Sequence, residues 1–576
     1  MLVRVKVSMI ALLFLADVGL LAQQRSQKKF VRPEMSSGPH SQAPVPLRAE
    51  RPGKPGVGPN VQVNAPQQPF PDGLLGRSET TVAASNSGKL LLAGFNDAQG
   101  FCGPPFGAPC TPENPPGLSG FAFSTDGGLT WTDGGAPDPA LSPGGNVFTR
   151  GDPWMDRGGS DGQTFYYSNI AVDYFTGASL GVSIHRGHFH DGSFAFEDVH
   201  TFNTSNPNDF YDKDAFAAAK DGSGAAYGTI TNFIEVCGIP AFGFGQIELW
   251  RTHDGGDTWQ GPTIVSPDMT FITDPKNPNC GLTGTYQQGS APAIGPKGEV
   301  YVTWLEGPTF TGPKGSIEST NASIEVARSL DGGVTFDSAV TVATTNVSFL
   351  RTSPAGYNRG SRLDSPRITV ATTGRNHGRV YVTFTSEVAP APIPGTVTCP
   401  SGLPSGSVCV GQDPLSEEAF ISFSDDRGLT WSTPTPLATA VPPTGVKRMW
   451  PVPSVEPGGT LNVVYYQSQE ASTPLNPECV VFLGSSSTTD FFRVGPANSL
   501  VDTFRVQSAN GGKTFGAPVT VTTVTTNWCT TFSDIIPNFG DYIGGASGAN
   551  RAFPIWADGR NGIPDTFFAP IKGKSQ

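Results

Sequence analysis

The stretch Ser124-Thr125-Asp126-Gly127-Gly128-Leu129-Thr130-Trp131 decides how this chain is read, because it returns four times. It comes back as Thr252-His253-Asp254-Gly255-Gly256-Asp257-Thr258-Trp259 and as Ser329-Leu330-Asp331-Gly332-Gly333-Val334-Thr335-Phe336. The last two copies are Ser424-Asp425-Asp426-Arg427-Gly428-Leu429-Thr430-Trp431 and Ser508-Ala509-Asn510-Gly511-Gly512-Lys513-Thr514-Phe515. A phrase of the form S/T-x-D/N-x-G-x-T-W/F repeated at intervals of tens of residues indicates a repeat architecture. Asp or Asn closes a turn by accepting bonds from backbone N–H groups just downstream, and Gly supplies the positive φ such a turn needs. The aromatic that ends the phrase is expected to drop into the neighbouring apolar layer.

Each copy follows a strand-like run, such as Gly120-Phe-Ala-Phe123 or Ile247-Glu-Leu-Trp250, so the phrase reads as the tip of a β-hairpin. The five copies resemble the Asp-box (BNR) repeat of the sialidase-like β-propellers, with Asp126, Asp254, Asp331, Asp426 and Asn510 as the structural turn residues. A second phrase lies upstream of each copy: a short apolar strand, a turn, then an apolar strand ending in an aromatic. It opens at Glu79, Asp152, Asp214, Ala291, Asp364, Trp450 and Asp541, which makes seven units. The second unit carries a decayed turn near Ser183-Ile-His185-Arg-Gly187, and the seventh ends after its third strand, Asp565-Thr-Phe-Phe-Ala569. The alternating run Asn60-Val-Gln-Val-Asn64 stands ahead of the first unit and supplies the missing strand. The expected fold is therefore an all-β, seven-bladed propeller closed by an N-terminal strand, which removes an exposed sheet edge. A six-bladed sialidase-type ring is the alternative.

Composition agrees with many short strands and tight turns. Of 576 residues, 71 are Gly and 53 Pro, and only 15% are charged. The net charge of −12 gives nucleic-acid binding no electrostatic footing. Arg4 and Lys6 precede the apolar run Met9 to Leu15, and Ala22 is the expected cleavage residue, so 1–22 reads as a signal peptide. Residues 23–58, rich in Pro, Gly, Ser and Gln, read as a disordered leader, and 59–576 as one propeller domain. The expected location is secreted or periplasmic, with no transmembrane span after cleavage. Export suits the eight cysteines, which fall in neighbouring pairs: Cys102 and Cys110, Cys237 and Cys280, Cys399 and Cys409, Cys479 and Cys529. Four sequential disulfides are expected.

The first strand of each blade lines the axis of a propeller, so residues opening those strands converge although remote in sequence. Here they are mostly acidic: Glu79, Asp152, Asp214, Asp364 and Asp541, with Asp212 two residues before Asp214. Arg77, Arg150, Arg362 and Arg448 sit two positions ahead of blade openings. Two readings stand side by side. The arginines either pair with the acids and hold the blade mouths together, or form an anion clamp, since guanidinium groups grip carboxylates through two parallel bonds.

The resemblance to sialidases implies a clamp of three arginines on an acidic sugar, a tyrosine nucleophile and an aspartate acid/base. On this chain those roles would fall to Tyr542 as nucleophile and Asp152 or Asp214 as acid, with Tyr211 and Glu306 as weaker candidates. Pro366-Arg367-Ile368 is a partial echo of the Phe-Arg-Ile-Pro stretch of that family. No cofactor is evident. Ca²⁺ at the axial acids is a possibility, as is a metal at His185, His188 and His190, for which solvated histidines are the competing reading. Three functions follow: a monomeric module binding a glycan or cell-surface protein at the channel mouth, a sialidase-like glycoside hydrolase, or a non-catalytic scaffold.

Overall fold

The computed structural model describes residues 53–573 except 70–72, 101–116, 143, 174–177, 205, 207–208, 235–244, 267–283, 312–315, 318–320, 349–353, 360–361, 389–395, 400, 402, 404, 412–415, 439–441, 471–474 and 487–488. Strands dominate, and they form antiparallel sheets that follow one another along the chain. The first sheet runs Arg77–Ala84, Leu91–Asp97, Ser119–Ser124 and Thr132–Gly135. The second is Val147–Arg157, Thr164–Asp173, Ser179–His190 and Ser193–Phe202, and the third is Phe210–Ala218, Ala226–Phe233, Gly245–Thr252 and Gln260–Ile264. The fourth is built on Gly284–Ile294, Val300–Thr311, Asn321–Ser329 and Val340–Ser348. A nine-stranded sheet follows, from Arg367–Val370 to Val519–Thr520, in which Glu417 opposite Lys447 is the one paired position joining its two halves. The last sheet contains Gly544–Gly548, Arg551–Asp558 and Asp565–Phe568. Five separate four- or five-stranded sheets thus repeat one up-and-down order, a propeller-like arrangement.

The last sheet is completed from the other end of the chain. Val61 lies opposite Phe568 and Gln62 opposite Phe567, in antiparallel pairing. Around this short strand, the Asn64 side chain accepts from Thr566 N at 2.7 Å and donates to Asp565 at 2.9 Å. Val63 is buried in a cluster shared by the first sheet (Leu91, Phe95) and the last (Phe553, Ile555, Phe568). The attachment begins earlier than the alternation suggested. Val57 bridges to Ile571 and Gly58 N donates to Pro570 O at 2.8 Å, so residues 53–58 do not belong to the expected leader.

All five repeated turns have the same internal bonding. In the third, Ser329 Oγ donates to Asp331 Oδ1 at 2.7 Å and accepts from Gly333 N at 2.8 Å. Asp331 also accepts from Thr335 N at 2.9 Å and from the Thr335 hydroxyl at 2.6 Å. In the fifth the Asn510 amide donates to Thr514 Oγ1 at 2.8 Å, so the bond survives the change from acid to amide with its direction reversed. The second glycine of the phrase packs on the preceding sheet. At Gly128, φ is +85°, and an added Cβ would lie 2.0 Å from the Phe568 ring. Trp131 stacks edge-on to that ring, centroids 5.1 Å apart. Each turn therefore fastens one sheet to its neighbour. The decayed turn expected at 183–187 is absent. Those residues lie inside strand Ser179–His190, and the chain reverses at Asp191 and Gly192, both left-handed.

Two segments that interrupt the repeating sheets meet. Thr396–Val397, Val408–Gly411, Thr489–Pro496 and Leu475–Ser486 form a small extra sheet, with Val408–Gly411 parallel to Thr489–Pro496. Disulfides Cys399–Cys409 and Cys479–Cys529 tie this region, as the sequential pairing anticipated. Cys102, Cys110, Cys237 and Cys280 lie outside the described residues. Among the described residues no helix is long and apolar enough to cross a membrane.

Two outcomes follow. Removing residues 53–66 strips the closing strand and exposes the edge of Asp565–Phe568, so Tm measured at fixed scan rate should fall by about 10 °C or more. Asp331→Ala should lower Tm by about 1–3 °C. The Thr335 hydroxyl and backbone hold the Asp331 carboxyl down at about 2, so the contribution of this turn is complete above the usual carboxylate range and disappears as pH falls through about 2.

Candidate functional site

The inner strands share a device. Their pairing with the next strand skips two residues, between Ser78 and Thr81, Gly151 and Trp154, Asp212 and Ala215, Gln288 and Ala291, and Met449 and Val452. The first skipped residue is left-handed each time: Glu79 (φ 51°), Asp152 (56°), Lys213 (54°), Gly289 (70°) and Trp450 (53°). A bulge of this kind re-aims a side chain. In three sheets the re-aimed side chain carries a charge.

Those three charges meet. Lys213 Nζ lies 3.3 Å from Glu79 and 3.0 Å from Asp152, and a third carboxylate, Asp541 of the segment leading into the last sheet, is also at 3.0 Å. Arg359 pairs with Asp541, and the Tyr357 hydroxyl donates to the same carboxylate at 3.1 Å. Asn96 donates to Glu79 at 2.5 Å and accepts from Asp152 N at 3.1 Å. Glu79 and Asp541 are almost wholly buried, whereas the side chains of Lys213 and Arg359 are 13% and 23% exposed. The cations therefore form the solvent-facing side of the cluster.

The environment divides the acids into two kinds. Burial, then the charge of Asp152, pushes Glu79 well above the usual carboxylate range. Burial also lifts Asp214 well above it, against the Ser168 hydrogen bond, and lifts Asp212 to about 7, against the attraction of Lys213. For Asp152 the burial effect is outweighed by Lys213, and for Asp541 by Arg359 and then Lys213, so both are held below their ordinary value. Burial opposes the charge on Lys213, but Asp152, Glu79 and Asp541 together raise it well above that of a free lysine.

Deeper on the axis, Arg367 is buried with its guanidinium 4.6 Å from the centre of the Trp154 ring and 5.2 Å from that of Tyr542. It forms no ion pair among the described residues, and burial brings it down to about 10. A cavity of about 10 Å³ separates it from Lys213 and Asp541, lined also by Ser290 and Ser365. That is room for roughly one water molecule.

Of the residues expected at the site, Glu79, Asp152 and Asp541 are brought together, and Asp214 stands behind them with Ser168 as its partner. The Asp364 carboxylate is gripped by Arg362 at 2.7–3.0 Å. Three of the four arginines are paired separately with acids. Arg362 is enclosed between Asp364 and Glu417, Arg448 pairs with Glu418 and Gln467, and Arg77 pairs with Asp97 at 3.0 Å. Arg150 is half-buried and lowered by that burial. The pairing alternative thus describes Arg77, Arg362 and Arg448, each of which is paired with an acid inside the fold. Tyr542 does not have the setting of a nucleophile either. Its hydroxyl donates to Pro153 O at 2.8 Å, and burial with the nearby Glu79 and Asp152 pushes the phenol well above its usual value. Tyr211 donates to Glu248 at 2.6 Å, and Glu306 accepts from Gln287 at 3.0 Å, so both are engaged within their own sheets. As for Ca²⁺, the ammonium of Lys213 already stands among the acids that would ligate it.

Sequence reasoning missed Lys213, Arg359 and the role of Arg367. Aligning the inner strands on their acids places Asp214 level with Asp152. Aligning them on the residues at which pairing resumes after the bulge, Thr81, Trp154 and Ala215, places Lys213 there.

No protein-family model matches the sequence, and neither does any curated protein sequence. Several solved structures are similar to this chain at low identity. An unknown function protein from Dyadobacter fermentans is 12% identical with a TM-score of 0.40, over 90% of this chain and 100% of that one. Penicillium chrysogenum alpha-L-arabinanase complexed with arabinobiose is 14% identical, TM-score 0.36, over 71% of this chain and 93% of that one. Trypanosoma rangeli sialidase is 10% identical, TM-score 0.33, over 86% of this chain and 55% of that one.

Lys213→Met leaves Asp152 and Asp541 buried without their shared cation, and should destabilise the protein by about 3–5 kcal/mol. Adding Asp541→Asn should recover part of that loss. A double-mutant cycle from denaturant unfolding checks both.

Proposed function

We propose that this chain is an exported Asp-box propeller of seven blades that recognises a carbohydrate or another cell-surface ligand at its axial mouth. The blade count treats the nine-stranded sheet as two blades, of four and five strands, touching at Glu417 and Lys447. Its second half repeats the inner-strand bulge, at Trp450. The two disulfides suit an oxidising compartment.

One observation carries the recognition reading: a charged cluster assembled from separate sheets presents Lys213, Arg359 and the half-buried Asp212 toward solvent. Gln288 donates to Asp212 at 3.2 Å, adding an amide to the same face. Charged and amide groups fixed by a rigid scaffold suit a hydroxyl-rich ligand, whose orientation is set by a few well-placed polar contacts.

A hydrolase acting on an acidic sugar is the second reading, and a specific observation favours it. Glu79 is pushed up while Asp152 and Asp541 are pushed down, the division of labour expected of an acid and a base. Against it stands access. Glu79 is 1% exposed and Asp541 2%, and the cavity beside Asp541 has room for only about one water molecule.

Glycan-array binding and turnover of fluorogenic sialosides and arabinosides decide between the two. Binding without turnover, weakened at least tenfold by Arg359→Ala, is the expected result. Turnover abolished by Glu79→Gln would replace recognition with hydrolysis. Neither binding nor turnover, with co-purification of an envelope protein, would leave the scaffold.

A further inference from the structure

We infer that His188, His190 and Glu197 form a transition-metal site on the outer face of the second sheet, remote in function from the axial cluster. His188 and His190 are two residues apart on strand Ser179–His190, so they share a face. Phe189 between them points the other way and is buried against Phe165 and Phe194. That burial fixes the register, and the two imidazoles must then face outward. Their ring centres are 5.8 Å apart.

The third ligand comes from the neighbouring strand, Ser193–Phe202. Here the pairing passes from Gly187 opposite Phe196 to Arg186 opposite Asp198, so Glu197 is the extra residue of a bulge. Directly across from His188 stands Ala195, a methyl group on the exposed face. Glu197 has room to reach over it. One carboxylate oxygen lies 2.8 Å from His188 Nδ1 and the other 3.5 Å from His190 Nε2. One ligand atom from each of the three residues can be chosen so that all lie within 4.8 Å of one another.

Without a metal, His188 Nδ1 donates its ring hydrogen to the Glu197 carboxylate. In the metal-bound form the ring proton sits on the other nitrogen, leaving Nδ1 of His188 and Nε2 of His190 as lone-pair donors. Two imidazoles and one carboxylate suit Zn²⁺, Co²⁺, Ni²⁺ or Cu²⁺ rather than Ca²⁺. Three protein ligands leave a position for water or for a group from another molecule. The side chains are 25%, 71% and 44% exposed for His188, His190 and Glu197, so the ion can enter from solvent. His185, the third member of the histidine group, is buried and hydrogen-bonded to Ser183, and takes no part.

The test uses the untagged, oxidised full-length mature protein. Calorimetric titration with Zn²⁺ should show one equivalent bound, and Co²⁺ should develop the visible absorption of a low-coordinate nitrogen-ligated site. His188→Ala and Glu197→Gln should each weaken Zn²⁺ at least tenfold, while His200→Ala leaves affinity within twofold. All three positions are on the surface, and unchanged Tm values without metal will show that the variants fold. No stoichiometric Zn²⁺ binding, or binding untouched by the His188→Ala/His190→Ala double variant, would overturn the assignment.

Discussion

The structure depends on how its two ends are joined. A row of antiparallel sheets, each packed on the next, has an unfilled face at each end of the row. The last sheet would also present an unpaired edge along Asp565–Phe568. Pairing Val61 and Gln62 with Phe568 and Phe567 removes that edge. Burying Val63 between Leu91 and Phe568 joins the first sheet to the last. The strand itself is only two residues long, so its effect does not come from its own hydrogen bonds. It comes from what it makes possible: Trp131 of the first repeated turn can rest on Phe568 at 5.1 Å only if the last sheet is beside the first.

The axial cluster is a consequence of that arrangement. Glu79, Asp152 and Lys213 belong to the first three sheets, while Asp541 belongs to the end of the chain. Asp541 can reach Lys213 at 3.0 Å only where the ends have been brought together. The cluster also fixes this arrangement in return. Removing one partner of a buried ion pair strands the other in a medium that cannot solvate it. A displaced last sheet would leave Lys213 and Arg359 without Asp541, and Asp541 without either.

Much of the fold was legible because it rests on local chemistry that repeats. The turn needs a hydroxyl, an acid or amide, a glycine and a second hydroxyl at fixed offsets, and five copies made that visible. Closure was legible as a strand missing from Asp565–Ala569 and a spare one at Asn60–Asn64. The extra sheet was not, because Thr396–Val397 and Leu475–Ser486 are far apart in sequence and neither carries an alternating pattern strong enough to signal a partner. The site was legible only in part. Glu79, Asp152 and Asp541 are legible as acids opening their strands, but their partner Lys213 is basic and is masked by the acid that follows it, Asp214. Arg359 lies outside any repeat. Of the arginines that do repeat, Arg77, Arg362 and Arg448 are internal braces, each paired with an acid of the fold.

Backbone strain separates the axis from those braces. Glu79, Asp152, Lys213 and Trp450 adopt φ between 51° and 56°, a region that residues with a Cβ enter at a cost of order 1–3 kcal/mol each. At the fourth inner strand the same position is Gly289, which takes φ of 70° without that cost. Glycine would thus satisfy the bulge in every sheet, and the fold alone does not require a charged residue there. The charged residues stand where the backbone disfavours them, and the bulge turns their side chains to one point. Burying three carboxylates around one ammonium gives little stability over a well-packed apolar centre. A cost met three times at one point, with the cations at its solvent-facing side, supports the proposed recognition role of this cluster over one for the paired arginines.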